Sequence, residues 1–193
     1  MKKLIIAGAI TVFGLVSAQK GTVLVGGNIS LGNSTEKANG SIVSKVNSFE
    51  FNPRVGYQFT DKWTAGVRLG VATDKTTQSP NEIKDNSFSY GVFGRYTVPL
   101  SETFAVFGEL DVYAANGKRT TTISNMSSTS KTTGFGMVFT PNLFINFKKS
   151  FGLNFNVGGL GYTSEKVKGT DYKTNSFGFD FGKGVTFGIS KNF

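Results

Sequence analysis

Seven charged side chains stand at alternate positions within otherwise polar or small segments, and they are the residues of this sequence with the clearest potential for chemistry. They are three arginines and four acids: Glu50, Arg54, Arg68, Arg95, Glu109, Asp111 and Asp180. Glu109 and Asp111 lie two residues apart, which places them on one face of a strand, as paired carboxylates in acid–base catalysis require. Because three arginines occur among them, we instead expect the acids to form ion pairs.

Other elements of enzyme chemistry are missing from the sequence. The chain contains no histidine and no cysteine, which excludes Ser-His and Asp-His mechanisms and thiolate metal sites. Gly182-Lys183-Gly184 lacks the glycines of a phosphate-binding loop, and no metal-ligand spacing is present. We therefore predict a non-enzymatic protein without catalytic residues, cofactor or metal.

The first eighteen residues have the pattern of a secretory signal peptide. Two lysines precede an apolar run from Leu4 to Val16, and the small residue Ala18 ends the segment. The run is shorter than the roughly 20 residues that a membrane-spanning helix needs. We expect cleavage before Gln19, which separates a signal peptide, residues 1–18, from one domain, residues 19–193.

Apolar and polar residues alternate with a period of two through this domain, which is typical of strands whose faces meet different environments. The alternation predicts eight strands: Thr22–Leu31, Ser48–Phe59, Trp63–Thr73, Ser87–Val98, Phe104–Ala114, Gly134–Phe147, Phe151–Tyr162 and Ser176–Phe193. No stretch approaches 18 consecutive apolar residues, so the sequence excludes a helical membrane protein.

The connections between these strands alternate in length. Long polar stretches cover residues 33–47, 74–86, 116–132 and 163–175, whereas short turns cover 60–62, 99–103 and 148–150. Short periplasmic turns and longer outer loops are typical of transmembrane barrels. The sequence thus predicts an all-β protein, an eight-stranded antiparallel up-and-down transmembrane β-barrel, with both chain ends on the short-turn side.

Residue size indicates which face of the strands points outward. The polar face is rich in glycine, at Gly26, Gly56, Gly66, Gly70, Gly91, Gly136, Gly158, Gly178 and Gly188. Small residues suit a narrow lumen, whereas a soluble lipocalin-like barrel would present lysine and glutamate to water. Aromatic residues of the apolar face cluster beside the short turns, as in an interfacial girdle: Tyr57, Phe59, Trp63, Tyr96, Phe104, Phe147 and Phe151. The pattern favours the membrane barrel.

The seven charged residues lie on the polar face, which would direct them into the lumen. A lysine or arginine facing lipid at mid-depth costs roughly 2–4 kcal/mol, and an unpaired charge in the interior is also costly. Because eight strands leave room for little more than side chains, we expect one ion-paired network that plugs the lumen. A gated ion path through the same charges is the alternative. Lys183 breaks the pattern, and its glycine neighbours indicate a bulge or rim position that shifts the register.

Three segments carry motifs of a known family. They are Pro53–Trp63 with Gly66 and Gly70 beyond it, Gly159-Leu160-Gly161-Tyr162, and the ending Thr186–Phe193. Together they resemble the "outer membrane protein beta-barrel domain" family of small OmpA- and OmpX-type barrels. Thr186, Gly188 and Phe193 are similar to the terminal signal read by the barrel-assembly machinery. Lys191 departs from that signal, since the family usually has an apolar or aromatic residue there.

These features predict an integral protein of the outer membrane of a Gram-negative bacterium, with a closed lumen and with surface loops that act in envelope integrity or surface contact. A narrow porin-like channel for small or apolar solutes is one alternative, and a secreted soluble ligand-binding barrel is a second. Expected partners are outer-membrane lipids, the assembly machinery and lipopolysaccharide, whose phosphates Lys118, Arg119 and Lys131 could attract. The net charge of +9 is not gathered into a basic tract, so we expect no nucleic-acid partner.

Overall fold

Eight long strands form the molecule, and the computed structural model describes residues 20–38, 41–124, 126–148 and 151–193. In chain order the strands are β1 (Val23–Ala38), β2 (Ser41–Gln58), β3 (Trp63–Gln78), β4 (Asn81–Pro99), β5 (Phe104–Ile123), β6 (Met126–Lys148), β7 (Phe151–Val167) and β8 (Lys173–Asn192). Each strand pairs antiparallel with the next, and β8 returns to β1, so the sheet closes into a barrel. The predicted fold class is confirmed.

Two further predictions concern the signal peptide and membrane-spanning helices. The predicted signal peptide, residues 1–18, lies outside the described residues. Within the described ranges, no helix has the length and apolarity needed to cross a membrane.

The two faces of the barrel wall meet opposite environments. Val67, Tyr90 and Val92 point outward and expose half or more of their surface. Arg95 and Glu109, by contrast, point inward and are 6% and 2% exposed. A soluble barrel has the reverse arrangement, with its apolar residues inside. An apolar exterior around a polar interior is the arrangement of a membrane barrel.

The chain ends close the barrel at the end that carries the short turns. Val23 and Phe193 exchange backbone hydrogen bonds, with N···O distances of 2.9 and 2.8 Å. Above them, β1 and β8 pair over Leu24–Gly27 and Ile189–Asn192 in the described part of the chain. β1 therefore begins and β8 ends on the short-turn side, as the even number of strands predicts.

The four polar stretches at the opposite end are strand extensions, and their prediction as long loops is wrong. We call these extensions the distal hairpins: residues 31–49, 71–88, 114–135 and 162–177. Hydroxyl and amide side chains bond across them, as between Thr122 Oγ1 and Ser127 Oγ at 2.9 Å, and from Asn33 Nδ2 to Asn47 Oδ1 at 2.7 Å. Cross-strand pairs of this kind keep polar segments in strand geometry.

A register shift interrupts the pairing of β7 with β8. Asn156 pairs with Thr186, but Gly158 pairs with Phe181, so one β7 residue stands opposite four β8 residues. Gly182, in the extra segment, has a φ of 72°, which glycine adopts without the steric cost other residues would meet. The irregularity predicted at Gly182-Lys183-Gly184 is therefore present.

Candidate functional site

Four adjoining strands bring five of the seven predicted charged residues together inside the barrel. Arg54 of β2 stands opposite Arg68 of β3, and Arg95 of β4 stands opposite Glu109 of β5. Asp111 follows Glu109 by two residues and therefore points to the same side of the sheet. We call these five residues the lumenal cluster.

Glu109 lies at the centre of the lumenal cluster. Arg95 donates from Nε to Glu109 Oε2 at 2.9 Å, and its Nη2 lies 2.7 Å from the same oxygen. Arg54 forms an ion pair with the other oxygen, Oε1. The Glu109 side chain is 2% exposed, and each of its carboxylate oxygens is paired with a guanidinium group.

Arg68 connects the cluster to a more open level of the lumen. Its Nε lies 3.7 Å from Asp111 Oδ1, and its Nη2 donates to Asn52 Oδ1 at 3.4 Å. Asn52 in turn donates to Glu50 Oε1 at 2.5 Å. Glu50 is exposed, so it joins the cluster through an amide rather than by facing an arginine.

Asp180 lies apart from the lumenal cluster. It is exposed on β8 beyond the register shift, opposite Gly159, and it lines a separate hollow with Asn156 and Gly158. The register shift predicted around Lys183 lies between Asp180 and Thr186 on β8.

Three inward-facing aromatic rings contact the arginines, and they are not among the predicted site residues. The guanidinium carbon of Arg95 lies 3.9 Å from the centre of the Phe107 ring, and that of Arg68 lies 4.6 Å from the centre of Tyr113. Phe93 lies between Arg54 and Arg95, with centroid distances of 5.7 and 6.0 Å. Such contacts stabilise a desolvated cation by about 1–2 kcal/mol.

A signal for these rings was present in the strand parity. Phe93 stands two residues before Arg95, and Phe107 and Tyr113 flank Glu109 and Asp111 at the same spacing. They therefore lie on the face already assigned to the lumen. Aromatic residues are generally expected on the lipid-facing side of a barrel, so these three rings were not predicted to lie in the lumen.

Glycines on neighbouring strands make room for two of the rings. A Cβ atom at Gly66 would lie 2.7 Å from Phe93 Cε1, and one at Gly56 would lie 2.8 Å from Phe93 Cζ. At Gly136 a Cβ would lie 2.4 Å from Tyr113 Cζ. The glycine-rich face predicted for a narrow lumen thus serves to seat large side chains.

The lumenal cluster holds three cations and two carboxylates, so its formal charge is positive. Arg54 Nε, Arg68 Nε and Asp111 Oδ1 are buried without a hydrogen-bond partner among the described residues. Within the same ranges, no group of three or more His, Cys, Asp or Glu side chains is arranged to hold a metal ion. The lumenal cluster is therefore a buried group of ion pairs with one positive charge in excess.

Two cavities adjoin the lumenal cluster on opposite sides along the barrel. One, of about 140 Å³, is lined by Asn28, Glu109 and Asn154 among others. The other, of about 170 Å³, opens towards the short turns beside Gln58. Arg95 and Phe107 line both cavities, so the cavities adjoin at these two side chains.

A comparison with protein families agrees with this architecture. A family model described as "Outer membrane protein beta-barrel domain" matches residues 5–183. The chain belongs to this family. The match supports the outer membrane as the location of the protein and outer-membrane lipid as its surroundings. Among curated proteins, no match is found.

Solved structures of outer-membrane barrels resemble the fold. OprG from Pseudomonas aeruginosa is 14% identical with a TM-score of 0.52, over 91% of this chain and 97% of that one. Ail, the attachment invasion locus protein of Yersinia pestis, is 15% identical with a TM-score of 0.46, over 91% of this chain and all of the other. At such identities the similarity to OprG concerns the fold alone.

The aromatic residues beside the short turns are placed as a membrane barrel of this family requires. Trp63 and Tyr96 stand opposite each other on β3 and β4 with ring centres 4.9 Å apart. Both are exposed, as are the other predicted girdle residues: Tyr57, Phe59, Phe104, Phe147 and Phe151. These side chains mark one interface of the lipid-facing band.

Proposed function

We propose that this protein is a non-enzymatic outer-membrane barrel with a closed lumen, whose distal hairpins face the cell exterior and act in surface contact or envelope integrity. The observation that carries the proposal is the double clamp on Glu109, whose carboxylate is held by Arg54 and Arg95 across the lumen. The Arg95 side chain also packs on the Phe107 ring.

The same geometry argues against acid–base catalysis in the lumen. A general acid or base needs a proton-transferring oxygen within reach of a substrate. Glu109 presents both of its oxygens to arginines, and Asp111 lies beside Arg68. These carboxylates therefore serve as counter-ions in the proposal.

A planar-bilayer experiment tests the closed lumen. The purified protein is expected to give no reproducible single-channel conductance at neutral pH. The double variant Arg95→Ala/Phe107→Ala, which truncates the two side chains that line both cavities, is expected to conduct. Steady conductance steps from the unmodified protein would overturn the proposal.

A narrow channel is the second candidate, and one observation favours it. The two cavities share Arg95 and Phe107 in their linings, so they adjoin at these side chains. In this candidate a rotamer change of the two side chains connects the cavities. This candidate predicts conductance in the unmodified protein, so the same experiment separates the two.

Assembly and lipid partners complete the proposal. Thr186, Gly188 and Phe193 would be read by the barrel-assembly machinery, and the distal hairpins would contact lipopolysaccharide. Phe193 ends the chain beside β1, and Lys191 Nζ lies 4.4 Å from the centre of its ring. Replacement of Phe193 by Ser is expected to reduce the folded, heat-modifiable fraction in membranes.

A further inference from the structure

The outward faces of the distal hairpins repeat the same order of residue types on every strand. The last apolar residues before the polar part of each strand form four cross-strand pairs: Leu31 with Phe49, Val71 with Phe88, Ala114 with Phe135, and Tyr162 with Phe177. Two residues farther out, each position is Asn, Ser or Thr: Asn33, Asn47, Thr73, Asn86, Asn116, Thr133, Ser164 and Asn175. The repeat gives the hairpins a common level relative to the membrane.

The next outward position is lysine on seven of the eight strands. These residues, which we call the lysine belt, are Lys45, Lys75, Lys84, Lys118, Lys131, Lys166 and Lys173, and Thr35 completes the level on β1. Each lysine lies four residues from the last apolar position of its strand, on the side away from the short turns. No register shift separates the two levels in these hairpins, so both point outward.

The lysines of three hairpins face each other directly across the strand pair. Lys75 stands opposite Lys84, Lys118 opposite Lys131, and Lys166 opposite Lys173. Like charges in directly opposite positions destabilise a hairpin. An anion held between the two ammonium groups would relieve this repulsion.

Acidic residues that could neutralise the belt lie mainly on the other face. Asp74, Asp85 and Glu165 line the interior of the hairpin region together with Arg119, and Lys118 of the belt borders the same cavity. Arg119 forms a two-point ion pair with Asp85 at 2.7 and 2.9 Å. On the outward face of the described strands, Glu82 lies 2.8 Å from Lys75. The Lys118–Lys131 and Lys166–Lys173 pairs form no ion pair with any described residue.

The height of the belt matches the anionic layer of a membrane. Four residues of a strand with a tilt of about 40° rise about 10 Å along the membrane normal. The headgroup region on one side of a bilayer is about 5–8 Å thick. A lysine stem that folds back towards the apolar band therefore brings its ammonium group to the level of lipid phosphates.

From these observations we propose that the lysine belt is a docking surface for phosphorylated glycolipid of the outer leaflet, with one phosphate held between the two lysines of a facing pair. The inference rests on the proposed exterior orientation of the distal hairpins and names their ligand chemistry. It adds attachment sites around the barrel wall, separate from the lumen.

The test measures thermal unfolding of the purified protein in phosphatidylcholine nanodiscs, with and without bisphosphorylated lipid A. Two paired variants lose the belt charges, Lys118→Gln/Lys131→Gln and Lys166→Gln/Lys173→Gln. The control Lys20→Gln/Lys62→Gln removes two exposed lysines at the short-turn end. Dephosphorylated lipid A and phosphatidylglycerol at equal lipid charge serve as ligand controls.

Lipid A is expected to raise the melting temperature of the unmodified protein and of the control by several degrees, and of each belt variant by less. The lipid A content needed for half of the shift should rise about thirtyfold for a lost pair, which corresponds to about 2 kcal/mol. In phosphatidylcholine alone the belt variants should melt at the same or a higher temperature, because the repulsion between the lysines is removed.

Three outcomes would overturn the inference. One is an undiminished lipid A shift in both belt variants, and another is equal destabilisation of those variants with and without lipid A. The third is an equal shift with dephosphorylated lipid A or with phosphatidylglycerol. None of these outcomes alters the bilayer conductance, so failure of the lysine belt is distinguishable from failure of the closed lumen.

Discussion

Arg95 and Glu109 stand directly opposite each other on β4 and β5, with Arg95 Nη2 2.7 Å from Glu109 Oε2. Their side chains are 7% and 2% exposed, so the ion pair is buried inside the barrel. Arg54 completes the arrangement from β2. The two ion pairs of Glu109 therefore join β2 and β4 to β5 inside the barrel.

Removal of the central charge should destabilise the barrel strongly. Glu109→Gln preserves the volume of the side chain but leaves Arg54 and Arg95 without their counter-ion, which should cost about 3–5 kcal/mol. Urea unfolding in lipid vesicles measures the loss. The control Glu102→Gln alters an exposed residue in a short turn and should change stability by less than about 0.5 kcal/mol. Equal stability of the two variants would contradict the prediction.

The arginine variants should rank by the quality of their contacts. Arg95→Ala loses an ion pair at 2.7 Å and the Phe107 contact, so it should cost about 3–5 kcal/mol. Arg68→Ala should cost less, because its nitrogen lies 3.7 Å from Asp111. The same unfolding assay gives the order. Unchanged unfolding of Arg54→Ala, Arg68→Ala and Arg95→Ala alike would exclude a stabilising network.

A methyl group added beside Tyr113 should be costly. In Gly136→Ala the new Cβ would meet the ring at 2.4 Å, so overpacking of about 1–3 kcal/mol is expected. Gly94→Ala is the matched control, since nothing described lies within 4 Å of its new Cβ. In a Tyr113→Leu background the cost of Gly136→Ala should shrink. A cost that is the same in both backgrounds would show that the ring is not the cause.

The orientation of the barrel can be read from thiol labelling, because the chain has no cysteine of its own. Lys118→Cys, on a distal hairpin, should react with a membrane-impermeant maleimide in intact cells. Lys62→Cys, in a short turn, should react after the outer membrane is permeabilised. The reverse result would place the distal hairpins in the periplasm and remove the basis of the lysine belt.

The sequence predicts the strands well because alternation reports directly on two unlike environments. The parity of Arg54, Arg95 and Glu109 follows from that alternation, and these residues meet in the lumen. Strand parity contains no information on height, however. The sequence indicates an irregularity beside Gly182, but the size of the register shift is set by the pairing of β7 with β8.

The distal hairpins were misread for a different reason. Their Ser, Thr, Asn and Lys residues have the composition of loops, and composition outweighed the alternation that continues through them. In the structure Thr120 Oγ1 lies 3.4 Å from Thr129 Oγ1, and Arg119 bonds to Asp85 across strands. Threonine is favourable in strands, so a polar hairpin with cross-strand bonds extends the sheet beyond the membrane.

A double-mutant cycle on Arg95 and Glu109 tests most directly whether the lumenal charges act as one network. Urea unfolding is measured for the unmodified protein, Arg95→Met, Glu109→Gln and the double variant. A network predicts a coupling free energy of about 1.5 kcal/mol or more, because each residue compensates the charge of the other. Additive effects, within about 0.5 kcal/mol, would contradict the network.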